Sequence, residues 1–127
     1  MPFQKATAVT LALTAGLFLS AVAQAHPKLL SSSPAEGADG MAPASIELHF
    51  SEQLTTQFSG AKLIMTDMPG MPNSPMGVQA AVAAGGDPKT MIITPAAPLT
   101  TGTYKVEWRA VSSDTHPITG SFSFKVK

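Results

Sequence analysis

Three short runs of strictly alternating character decide most of what this chain can become. In SIELHF, Ile46, Leu48 and Phe50 fall on one side and Glu47 and His49 on the other. In TYKVEWRAV, Tyr104, Val106 and Trp108 oppose Lys105, Glu107 and Arg109; in SFSFKV, Phe122, Phe124 and Val126 oppose Ser123 and Lys125. Side chains of an extended backbone leave alternate faces, so period two marks a strand with one dry face and one wet one. KLLSS, AKLIM, VQAAVA and MIIT are weaker candidates of the same kind. SPAEGADGMAPA, GGDPKT and TPAAPLTTG separate them, and their prolines and glycines punctuate the chain as turns. No stretch keeps helical periodicity over three turns. Seven short strands in about a hundred residues predict an all-β fold, an antiparallel β-sandwich of immunoglobulin-like or Greek-key type.

Residues 1–25 stand apart from this pattern. MPFQKATAVTLALTAGLFLSAVAQA carries one lysine, Lys5, then a long uncharged run that closes on Ala23-Gln24-Ala25. That is the layout of a secretory signal peptide with an A-x-A cleavage site; an uncleaved membrane anchor is the rival reading. Cleavage after Ala25 leaves residues 26–127 as one ordinary domain, free of the membrane and beginning at His26. The whole chain has eight Lys/Arg and eight Asp/Glu, so removing Lys5 leaves seven against eight. Such neutrality argues against a nucleic-acid partner, which would want a basic face. The chain has no cysteine, which excludes a thiol nucleophile and a thiolate copper centre.

Chemistry is concentrated in a few residues. A mature chain starting at His26 offers its α-amine and its imidazole to one metal ion. Pro27 follows, and proline has no amide N–H to supply a third nitrogen in sequence. Further donors must come from the fold, and SSDTHP supplies them: Asp114 and His116 are two apart, on one face of an extended backbone. Nitrogen donors with one carboxylate oxygen suit divalent copper, which also tops the divalent affinity order for nitrogen sites. A plainer reading stands beside this one, with Asp114 capping a turn before Pro117 and His116 merely polar. His49, on the wet side of its strand, and Glu52 read first as solvated surface groups.

MTDMPGMPNSPM, residues 65–76, holds four of the chain's seven methionines. Its three prolines and its glycine bar it from a helix or a central strand and predict a loop. Thioethers are soft ligands that select monovalent copper, so Met65, Met68, Met71 and Met76 form a candidate site. Gap filling beneath the loop is the alternative, most of all for Met65 at the end of AKLIM; a methionine-lined protein interface is another. Met41 and Met91 lie outside the cluster, where core packing suits them.

AHPKLLSSSPAEG, IELHFSE, QFSGAKL, GGDPKTMIITPA and GTYKVEWRAVSSDTHPITGSFSFKVK together resemble the CopC/PcoC family of periplasmic copper-resistance proteins, over essentially all of residues 26–127. The resemblance implies a cupredoxin-like or immunoglobulin-like β-barrel that binds copper in the periplasm and hands it on without catalysing a reaction. It implies divalent copper at His26, through amine and imidazole, with Asp114 and His116, and Glu52 matches a position near that site. It implies monovalent copper at Met65, Met68, Met71 and Met76. The family's monovalent site also contains a histidine, and Asn73 stands at the matching place here; an amide is a poor ligand for soft copper.

A monomeric state and a copper-handling membrane or outer-membrane partner are the further expectations. Two other classes compete with a carrier. A copper-dependent oxidative enzyme can also use an N-terminal histidine, but one Trp and one Tyr, both on inward faces, leave little aromatic surface for a glycan. A metal-free immunoglobulin-like interaction module would use the methionines to dock a partner.

Overall fold

The computed structural model describes residues 26–127, and for residues 71–74 the backbone alone; the expected signal segment, residues 1–25, lies outside the described residues. Nine strands follow one another: β1 (Leu29–Ser33), β2 (Asp39–Gly40), β3 (Ile46–Phe50), β4 (Gly60–Met68), β5 (Met71–Val78), β6 (Ala80–Ala84), β7 (Thr90–Pro95), β8 (Gly102–Val111) and β9 (Pro117–Val126). They form a four-stranded sheet in the order β1-β3-β7-β6 and a five-stranded sheet in the order β2-β9-β8-β4-β5. The chain leaves β5 for the other sheet, runs through β6 and β7, and returns so that β8 lies beside β4. That excursion is the crossover of a Greek-key sandwich.

The alternation read from the sequence is the alternation that packs. Ile46, Leu48 and Phe50 from β3 meet Tyr104, Val106, Trp108 and Ala110 from β8 and Phe122, Phe124 and Val126 from β9 in one buried cluster. Leu63 and Met65 from β4 and Met91 and Ile93 from β7 complete its walls. Trp108 meets Phe50 edge-on, with ring centroids 5.2 Å apart at 72°, a geometry that suits the ring quadrupoles. The buried Tyr104 hydroxyl donates to the Thr100 carbonyl at 2.6 Å, so its polar end is satisfied.

Three sequence expectations change. Nine strands replace seven because two carry no alternating pattern. β2 is a two-residue bridge lying parallel to β9, an exception to the antiparallel rule elsewhere. β5 is the methionine-rich segment itself. It is not a loop: β4 and β5 form a hairpin that turns at Pro69-Gly70, with Gly70 at φ 84°. Pro-Gly fits a type II turn, whose third position needs positive φ. The prolines are tolerated because β5 is an edge strand, whose outer side needs no N–H donors. The third change concerns Met41, which is 92% exposed and packs in no core, whereas Met91 is buried as expected.

Candidate metal centre

One end of the sandwich is built from the start of β1, the bend after β3 and the β8–β9 connection. Pro27 is fully buried there. The Lys28 amide donates to Ser51 Oγ at 2.9 Å, and the Ser51 amide returns a bond to the Lys28 carbonyl at 2.9 Å. These contacts hold the chain just after His26 against the end of β3.

Across from it, residues Ser112 to His116 link β8 to β9. The expectation of an extended Asp114-x-His116 is replaced by a turn. The Thr115 amide donates to the Ser112 carbonyl at 3.0 Å, and Thr115 takes φ 64°. A β-branched residue at positive φ is strained and persists only where its surroundings enforce it. Oδ1 of Asp114 accepts from Ser112 Oγ at 3.0 Å and from the His116 amide at 3.2 Å. The plainer reading of Asp114 as a turn cap therefore holds, and the same turn brings His116 alongside.

Oδ2 of Asp114, the other oxygen, faces both imidazoles. It lies 2.8 Å from Nδ1 of His26 and 3.9 Å from Nδ1 of His116. The two rings sit 5.8 Å apart, tilted by 37°. One ligand atom from each of His26, Asp114 and His116 lies within 4.8 Å of the others. Among the described residues these three converge; Glu52, on the bend after β3, is not one of them. Nδ1 of His26 is buried, and its short approach to Oδ2 is an ion-pair contact without hydrogen-bond alignment. A cation held between this nitrogen and the carboxylate would take both as ligands. Partial burial pushes the Asp114 carboxyl up, but the Ser112 hydroxyl, the His116 amide and the charges of His26 and His116 outweigh it. The net effect holds the group below the usual carboxylate range, as a ligand kept ionised requires.

The methionine hairpin sits at the opposite end. β4 pairs with β8 from Gly60↔Arg109 to Asp67↔Thr103, so the Pro69-Gly70 turn lies beyond the start of β8 while Asp114 lies beyond its end. Ten residues of β8 separate the two ends, about 30 Å at strand rise. In the hairpin register Met65 faces Met76 and Met68 faces Met71. Met65 is 7% exposed and belongs to the core, Met68 packs against the core, and Met76 is 49% exposed. His49 is not in the His26–Asp114–His116 group; it lies on the outer face of its sheet, with Nδ1 3.1 Å from Thr90 Oγ1 and Nε2 3.7 Å from Glu47. Sequence reasoning passed over Ser112, whose only signal was a hydroxyl two residues before Asp114.

A β-sandwich that gathers two imidazoles and a carboxylate at one end defines a class, that of small β-domains with a metal-competent site on their loops. The chain belongs to the CopC family: the CopC domain model matches residues 29–127. It is 72% identical to copper resistance protein C of Pseudomonas syringae pv. tomato over the full length of both. With copper resistance protein C of Escherichia coli it shares 58% identity, over 91% of this chain and 94% of that one. The crystal structure of PcoC, a methionine-rich copper resistance protein from Escherichia coli, superposes with a TM-score of 0.76 at 59% identity, over 81% of this chain and 100% of that one. CopC from Methylosinus trichosporium OB3b, 24% identical with a TM-score of 0.65 over 80% of this chain and 94% of that one, shares the fold. The family is one of copper-resistance proteins rather than enzymes.

Proposed function

We propose that the chain is a periplasmic copper carrier that holds divalent copper at His26, Asp114 and His116 and passes it on without chemistry. The single observation that carries this reading is the convergence of His26, Asp114 and His116, whose ligand atoms lie within 4.8 Å of one another with Nδ1 of His26 2.8 Å from Oδ2 of Asp114. Copper is the cargo, and the donor set fits it: imidazole and carboxylate suit divalent copper. Export with cleavage after Ala25 frees the α-amine of His26. Amine and Nδ1 of one histidine then close a six-membered chelate, and Nδ1 is the nitrogen turned toward Asp114. The names of the relatives supply the metal.

Monovalent copper is assigned to the other end, at Met68, Met71 and Met76, with Met65 behind them on the core side. Asn73 in place of a histidine makes that site a thioether site and a weak one. The expected recipient is a copper-handling membrane or outer-membrane protein, served by a monomeric carrier. Titration of the exported, processed protein with divalent copper tests the main claim. One equivalent bound, and lost in His116→Ala, supports it; no stoichiometric uptake by the wild type would leave the metal-free interaction module instead.

A further inference from the structure

We propose that Ser112 is a positioning residue that makes Asp114 a one-oxygen ligand. The inference rests on the copper reading of the His26–Asp114–His116 cluster and specifies how its carboxylate is presented. A free carboxylate can rotate, offer either oxygen, or clamp an ion with both. Here the two oxygens have different jobs. Oδ1 accepts the Ser112 hydroxyl at 3.0 Å and the His116 amide at 3.2 Å. Oδ2 alone turns to the imidazoles, 2.8 Å from His26 Nδ1. The His116 amide is a backbone donor fixed by the turn, and it grips the same oxygen as the hydroxyl. The Ser112 hydroxyl comes from a buried residue, 2% exposed, so it too has little freedom to follow a rotating carboxylate, and it is the donor a substitution can remove.

Fixing one oxygen has a chemical consequence. Ions such as calcium gather many oxygens and often take a carboxylate through both. A carboxylate with one oxygen already engaged gives such ions little, while copper needs only one oxygen beside its nitrogens. Ser112 thus acts on the affinity and selectivity of the site through Asp114, without touching the metal. Outer partners that orient a ligand typically carry a tenfold to hundredfold share of affinity.

The test is a double-mutant cycle on the full chain, expressed for export so that the host sets its N-terminus. Divalent copper affinity is measured by chelator competition, and the electron paramagnetic resonance spectrum of the bound ion is recorded. Ser112→Ala is expected to weaken binding by about tenfold or more and to change the spectrum, while Ser112→Thr, which keeps the hydroxyl, restores both. In an Asp114→Ala background, Ser112→Ala is expected to cost nothing further. Equal affinity and an unchanged spectrum in Ser112→Ala would overturn the assignment while leaving the copper site standing. An undiminished Ser112→Ala effect in the Asp114→Ala background would also overturn it, since the serine would then act on the fold at large. Absence of copper uptake by the wild type would overturn the site itself, and this assignment with it.

Discussion

Gly120 shows how narrow the tolerance is for a single atom in this core. It pairs with Trp108 in the β8–β9 register, and a Cβ built on it would fall 2.3 Å from Trp108 Cζ2. The indole lies over the glycine, and an added methyl forces either the ring or the strand to move. Gly120→Ala is expected to destabilise the fold by about 1–3 kcal/mol, the usual cost of overpacking, read by denaturant unfolding. Asp114 has a different kind of signature. Its carboxyl is held below its ordinary range by Ser112, the His116 amide and the two imidazoles, against the opposing effect of burial. The folded state therefore favours the ionised form. That contribution is present above the unfolded carboxyl's value and is lost as pH falls through the lower folded one. Below about pH 4 the metal-free wild type is expected to lose melting temperature more steeply than Asp114→Asn, in which nothing titrates at this position. Parallel acid limbs would contradict that.

Strands β3, β8 and β9 were legible because each buries one face and wets the other, which writes period two into the sequence. β5 was not, because its composition obeys a different demand. An edge strand needs hydrogen bonds on one side only, so Pro72 and Pro75 fit where they would break a central strand. β2 is two residues long and leaves no pattern at all. His26, Asp114 and His116 were legible as a set, but the geometry joining the last two was not. A turn with Thr115 at positive φ, stitched by Asp114 Oδ1, does what an extended backbone was expected to do. Exposure of Met41 could not be read either, since methionine fits core and surface alike. For the β4–β5 hairpin, the residue to change is Asn73. Asn73→His is expected to tighten monovalent copper binding there, because an imidazole is a better copper ligand than an amide. A titration under reducing conditions with no gain would mean that the hairpin does not coordinate the metal as proposed.

At the scale of the molecule, the two proposed sites lie at opposite ends of the sandwich. Nitrogen and oxygen donors gather on the loops at one end and thioethers on the hairpin at the other, with the length of β8 and the packed core between them. No described helix is long and apolar enough to cross a membrane. Sites so far apart with no shared residues should act independently. His116→Ala is accordingly expected to abolish divalent binding while leaving monovalent binding at the hairpin unchanged, in titrations run separately in each oxidation state. The central claim is that an N-terminal His26, through its amine and Nδ1, holds divalent copper together with Asp114 and His116. Its most direct measurement compares the processed protein with one carrying a single extra residue ahead of His26. The extension keeps every side chain and removes only the α-amine from the chelate. The account predicts a fall in divalent copper affinity of at least about a hundredfold, beyond what losing a residue that only orients a ligand typically causes; equal affinity in the two proteins would contradict it.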